Sequence, residues 1–265
     1  MKKGLICFLC LGWIFMPGLC YPEMTAKQVV QEQEKRHSVS SESGTVVMLL
    51  VDKRGNKEKR LIKRYAKEVE PDISRLLLVF MKPADVKGTS LLTWQQKDRP
   101  DDQWLYLPAR KKMQRIAGGS KKAYFLGTDF TYEDMEPEKL DRFSYRFVGS
   151  EQIDGNDCHV IDAVPADEKK KKESGYSKRR LWIRKDIFVT VKMDFFDRKG
   201  RLLKTLKNFE FKNIEGNVWR ADKSLMNNFK KKHKTLMGTK TRHINAPIPD
   251  KVFSERFILS GQHIQ

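Results

Sequence analysis

From residue 44 onward the chain is written in short apolar runs of five to twelve residues, each closed by turn-forming residues. Residues 45–51 are β-branched and apolar and stop at Asp52-Lys53-Arg54-Gly55-Asn56; residues 59–69 return and stop at Pro71; residues 75–81 stop at Pro83; residues 88–96 and 103–107 follow, the last ending at Pro108. The same punctuation resumes at 143–153, 158–164, 177–184, 189–195, 207–214, 218–229 and 234–245, with strict alternation over 189–195. Sequential runs of this kind predict antiparallel hairpins, about eleven strands in all, and no repeat of fixed period is present. Hairpins in series make a large, strongly curved sheet or barrel, mainly β with a minor α component.

Helical signals flank the strands. Thr25 and Gln28 have capping-box spacing, with Met24 and Val29 placed as a hydrophobic staple, and predict a helix running to about Ser41. Asp250 is the expected N-cap of a terminal helix whose apolar side is Val252, Phe253, Phe257 and Ile258. Residues 118–141, opened by Gly118-Gly119, break the strand pattern and read as short helices or an ordered loop; the charged stretch 167–178 reads as a mobile surface loop. Several strands (46–51, 76–81 and 104–107) are apolar at consecutive positions, so both their faces must be covered. Either the core is two-sided, or a curved sheet encloses an apolar pocket plugged by helices. Ten Met and fifteen Phe suit an adaptable apolar lining.

The first twenty residues change the picture of compartment. Lys2 and Lys3 precede an uncharged apolar run from Leu5 to Phe15, broken by Pro17 and Gly18, which is the layout of a secretory signal peptide. The run is short for a membrane span, an N-terminal anchor being the alternative. Gly18-Leu19-Cys20 suits cleavage before Tyr21; lipidation of Cys20, and so membrane anchoring, is the second option. Residues 21–265 then form a single exported domain. Cleavage removes two lysines and no acid, taking the net charge from +19 to +17. It leaves Cys158 as the lone cysteine, which precludes an intramolecular disulfide; a buried strand thiol is expected there rather than a metal site with His159.

A chain this basic favours anionic partners. Export and the loose interleaving of aromatics with the basic runs 169–172, 177–180 and 230–234 argue against nucleic acid and for an anionic membrane surface. The five histidines are scattered, and no nucleophile-elbow, zinc-protease, P-loop or dinucleotide motif occurs, so neither an enzyme nor a cofactor is expected.

Residues 104–118, WLYLPARKKMQRIAG, together with 124–134, YFLGTDFTYED, resemble a signature of bacterial outer-membrane lipoprotein-sorting proteins of the LolA-like superfamily. The upstream FMKPADVKGT, residues 80–89, fits the same branch. The resemblance implies an unclosed antiparallel β-barrel with helices in or over its concave face. It implies a hydrophobic cavity that shields acyl chains of a lipoprotein or lipid on the way to the outer membrane. The alternative is a module that senses envelope lipid or lipoprotein and acts on an inner-membrane transporter or a regulatory partner. Candidate cavity residues are Trp94, Trp104, Tyr106, Phe125, Phe130, Met193 and Phe195, each of which could equally be core. The insert 118–140 is a candidate lid or rim, with Gly118, Gly119 and Gly127 as flexible points. Tyr132 belongs to it, and Asp129 and Asp134 would anchor it to backbone or to Arg115. The competing reading is a static loop closing the barrel end.

Overall fold

A computed structural model describes residues 24–265; the signal-peptide and Cys20 expectations lie outside them. One sheet organises the chain. Its strands are β1 Ser41–Val51, β2 Lys57–Glu70, β3 Ile73–Lys82, β4 Ser90–Trp94, β5 Asp102–Leu107, β6 Lys112–Arg115 and β7 Phe143–Ile153. They continue as β8 Asn156–Pro165, β9 Tyr176–Arg184, β10 Thr190–Asp197, β11 Leu202–Glu215, β12 Val218–Asn228 and β13 His233–Ile244. The spatial order is β6-β5-β4-β3-β2-β1-β13-β12-β11-β10-β9-β8-β7. Every neighbouring pair is antiparallel. The sheet does not close: β6 and β7 are consecutive in sequence yet lie at its two edges, so residues 116–142 must cross from one edge to the other. This is an unclosed, curved β-barrel with helices.

Period-two alternation decides which side chains face inward. In β3, Leu76, Leu78 and Phe80 join Met48, Leu50, Ile62, Leu91 and Leu105 on the inner face, against Phe125 and Tyr132 of the insert. The intervening Leu77 and Val79 join Leu92 and Tyr106 on the outer face, covered by Ile248, Val252, Phe253 and Ile258 of the C-terminal segment. Consecutive apolar positions are thus explained by two coverings. The helix α1 Ala26–His37 lies on the inner face further along, seating Ala26, Val29 and Val30 on Ile161, Ala163, Leu181 and Ile183. Its Thr25–Gln28 capping box is formed, and Met24 packs in the same cluster.

Four expectations need correction. The first helix stops at His37, because β1 already begins at Ser41. The stretch expected as a mobile loop contains a short helix, α2 Glu168–Glu173, capped by Asp167 and tied to the insert by Lys170–Glu133 at 3.1 Å. Asp250 opens only a 3-10 turn and spends its carboxylate on Lys67 at 2.6 Å; the helix α3 Glu255–Leu259 is capped instead by Ser254. There are thirteen strands rather than about eleven: the twelve runs read from the sequence each hold a strand, and β6 is too short and polar to show an alternation. Cys158 is a buried strand thiol, donating to the Asn156 carbonyl at 3.4 Å.

Candidate functional site: an apolar chamber and its arginine vestibule

The insert does not fill the inner face. It leaves a chamber of about 380 Å³ whose walls include Val46, Met48, Ile62, Leu78, Phe125 and Met237. A smaller cavity of about 180 Å³, with Phe130, Met193, Phe195 and Met226 in its wall, shares Asp134, Glu136 and Pro137 with the chamber. On the α1 side, a cavity of about 470 Å³ beside Val30, His37 and Trp219 shares Arg64, Ala66 and Ser74 with it. Three hollows therefore meet along one inner surface.

A fourth, of about 220 Å³, forms a polar vestibule joined to the chamber at Val46, Arg64 and Thr239. Its floor is Glu42, met by Arg64 at 3.5 Å, Arg220 at 3.1 Å and Arg242 at 3.3 Å. Arg220 is also fixed by the His37 carbonyl at 2.8 Å. Arg242 is fixed by Asp222 and the Ala221 carbonyl at 2.8 and 2.9 Å. Among the described residues, Glu42 at 3.5 Å is the ion-pair partner of the Arg64 guanidinium. Burial presses the Arg64 guanidinium below its usual range against the pull of Glu42, yet an arginine stays charged in any physiological setting. Gly44 belongs to the same wall: a Cβ there would stand 2.1 Å from the Thr241 carbonyl oxygen, beside the bulge that interrupts β1–β13 pairing between Thr45 and Val46.

Burial pushes the Glu42 carboxyl up, but the three arginines, Arg64 first, outweigh it and hold it below the ordinary value of 4.5. A depressed folded-state pKa contributes stability above the unfolded value and loses it as pH falls through the folded one. Wild type and Glu42→Gln are therefore expected to differ in urea midpoint at neutral pH and to converge as the pH is lowered below about 4, within the window set by the carboxylate range. A difference that persists unchanged at low pH would remove the carboxylate from the account.

The insert is bound into the sheet by buried polar groups. Asp129 is fully buried, its Oδ2 accepting from Thr235 Oγ1 at 2.8 Å and meeting His233 Nδ1 at 2.7 Å. Lys204, also fully buried, donates to the Asp129 carbonyl at 2.9 Å and to Asp134 Oδ2 at 2.5 Å. Tyr176 donates to Asp134 Oδ1 at 2.9 Å, and burial followed by the charge of Asp134 drives the phenol pKa well up, so the hydroxyl keeps its proton. The expected anchors are thus aspartates, but their partner is not Arg115, which pairs with Asp102 on the strand edge. Tyr132 stacks edge-on against Phe125 with centroids 5.5 Å apart. Gly127 takes a positive φ of 77° next to Leu126 at 45°, a tight reversal, whereas Gly118 and Gly119 sit in an ordinary 3-10 turn.

Of the proposed cavity residues, Phe125 faces the chamber and Phe130, Met193 and Phe195 face the smaller cavity. Trp94, Trp104 and Tyr106 do not reach either. They lie on the outer face with the C-terminal segment, Trp94 donating to the Phe253 carbonyl at 2.8 Å and Tyr106 meeting the His263 ring at 5.5 Å. Strand parity gives the inner positions to Leu91 and Leu105 instead. Arg64 and Lys204 were missed; the one signal for Arg64 was its place between inward Ile62 and Ala66.

An open antiparallel barrel clasping helices and hollows on its inner face defines a LolA-like fold. Comparisons agree. A family model described only as an uncharacterized protein-like family matches residues 73–260. A domain assigned to outer-membrane lipoprotein sorting from Vibrio parahaemolyticus is 30% identical, with TM-score 0.83 over 88% of this chain and 98% of that one. A DUF1329 family protein from Desulfovibrio piger is 28% identical, with TM-score 0.82 over 88% and 97%. A LolA superfamily protein from Nitrosomonas europaea shares the fold at 21% identity, TM-score 0.70, over 89% and 100%. No curated protein matches. The chain belongs to the LolA-like family of outer-membrane lipoprotein-sorting domains.

Proposed function

We propose that this protein is a periplasmic, non-enzymatic carrier that shields an acyl chain of a lipid or lipoprotein and passes it toward the outer membrane. The observation that carries the reading is the apolar chamber of about 380 Å³ on the inner face of an open barrel. Burying an acyl chain is worth about 0.8 kcal/mol per CH₂, so a sixteen-carbon chain gains on the order of 12 kcal/mol gross. Release into water is then negligible, and cargo must pass directly between apolar sites. The insert that roofs the chamber is the element that has to move during transfer.

The vestibule gives the cargo an orientation. With its acyl chain in the chamber, an anionic head group would meet Arg64, whose donors face it at the junction of the hollows. Arg64→Ala is expected to weaken binding of a fluorescent fatty acid about tenfold, as loss of one charged partner does, while its methyl ester binds as before. Equal losses for acid and ester would deny Arg64 that role.

Native mass spectrometry of the protein recovered from its own envelope tests the carrier reading. Co-purifying lipid or lipopeptide supports it; a protein that carries none and binds no acyl probe overturns it. Denaturing spectra of the same sample distinguish a Tyr21 N-terminus from a lipidated Cys20.

A further inference from the structure

The two rims of the barrel carry opposite charge. Strand pairing puts the β1–β2, β3–β4, β5–β6, β8–β9, β10–β11 and β12–β13 connections at one rim: Val51 pairs with both Lys57 and Lys234, Leu61 with Lys82, Leu107 with Lys112, and Asp197 with Tyr176. Within these connections and their adjoining strand ends (residues 52–59, 82–87, 110–112, 167–173, 197–201 and 230–234) stand twenty Lys and Arg against seven Asp and Glu. At the opposite rim, the connections with their adjoining strand ends (68–72, 97–102, 151–157, 185–186, 213–217 and 245–251) invert the balance, with twelve acids against four bases. A solvated surface has no reason to sort its charges by rim.

The basic rim also carries exposed apolar side chains. Leu202 is 44% exposed and Phe229 45%. They sit at the tips of neighbouring hairpins, joined where the Phe229 amide donates to the Leu203 carbonyl at 3.2 Å. Ile264, 38% exposed, lies at the same rim beside Gly88 and Pro108. These are three of the five large hydrophobics exposed among the described residues. Apolar tips set among lysines and arginines match a lipid interface, where the tips enter the head-group layer and the cations meet phosphate. A nucleic acid would use the charge but leave Leu202 and Phe229 without purpose.

We infer that the rim carrying Phe229 and Leu202 docks on an anionic phospholipid surface. The inference does not depend on the carrier reading, but it gives that reading a geometry. The β12–β13 hairpin that would enter the head groups also grips the insert, with Lys231 over the Tyr124 ring at 3.2 Å, Asn228 donating to the Tyr124 hydroxyl at 2.9 Å and His233 on Asp129. Docking places the roof of the chamber directly at the bilayer.

The test is co-sedimentation of the mature chain with two vesicle types, phosphatidylcholine alone and phosphatidylcholine mixed with phosphatidylglycerol. The wild type is expected to sediment with the anionic vesicles only and to be released by salt. Two variants probe the rim: Lys230→Ser with Lys232→Ser, and Leu202→Ser with Phe229→Ser. Each should lower partition onto anionic vesicles about tenfold or more, since each basic side chain and each inserted apolar group contributes on that scale. Lys97→Ser with Lys185→Ser on the opposite rim should change nothing. Unchanged thermal melts and unchanged acyl-probe binding in the rim variants would show that fold and cavity are intact. Equal sedimentation with both vesicle types, indifference to the rim variants, or binding to a soluble polyanion without binding to vesicles would each overturn the inference.

Discussion

Replacing Lys204 by methionine is expected to cost about 3–5 kcal/mol of stability, the range found when one partner of a buried ion pair is removed. Lys204 is fully buried and its ammonium has three duties: it meets Asp134 Oδ2 at 2.5 Å, donates to the Asp129 carbonyl at 2.9 Å, and lies 4.9 Å from the Phe195 ring. Methionine keeps the volume and loses the charge, which leaves the Asp134 carboxylate, only 6% exposed, held by Tyr176 and the Thr131 amide alone. The check is the urea midpoint at neutral pH. Adding Asp134→Asn to the methionine variant should restore part of the loss, because an amide no longer strands a charge. A loss below about 1 kcal/mol, the level of exposed pairs, would mean that the insert is held by its apolar contacts and not by this network. The insert should also become the first region to exchange amide protons in Lys204→Met, since the lysine joins β11 to the insert at two points.

Ala66→Trp is expected to abolish acyl-chain binding while leaving the protein folded. Ala66 lies on the inner face of β2 and borders both the chamber and the α1-side cavity. Overpacking a filled core costs about 1–3 kcal/mol, but the indole here enters existing space. Its stability cost should therefore fall below that range, and the displaced volume comes directly from the cargo. Titration of a fluorescent fatty acid should show affinity down by at least about tenfold, the equivalent of about 1.4 kcal/mol. A variant that melts like the wild type and still binds the probe would move the cargo site out of the chamber. Ala66→Ser is the matched control, expected to bind as the wild type does.

Much of this fold was legible in the chain because hairpins leave a local record. Turn residues such as Asp52-Lys53-Arg54-Gly55-Asn56 mark an edge, and the alternation of 189–195 marks a half-buried strand. The Thr25–Gln28 capping box was readable for the same reason: all its partners lie within four residues. What failed was long-range. Trp94, Trp104 and Tyr106 are open between cavity and core in the sequence, because the face of a strand depends on which neighbour covers it, and here the C-terminal segment claims the outer side. Asp129 is held by His233 and Thr235, which lie more than a hundred positions away, and nothing near Asp129 announces them. Lys204 stands among Leu202, Leu203, Thr205 and Leu206 of β11, where only the tertiary fold makes it a core residue. Arg64 was the nearest to readable, since an arginine flanked at two-residue spacing by Ile62 and Ala66 occupies an inward position.

The unpaired edges have a mechanical meaning. A closed barrel has its bore fixed by strand number and stagger, because every strand is hydrogen-bonded on both sides. Here β6 and β7 are each paired on one side only among the described residues, and the ring is completed by the covalent strap of residues 116–142. The bore is thus set by a strap and its buckles, Asp129 and Asp134, rather than by a full circle of backbone bonds. Such a cuff can widen without breaking a single strand pairing, simply by letting a buckle slip. The carrier proposed above would therefore accept cargoes of different girth and grip each of them closely, as a rigid cylinder of the same strands could not.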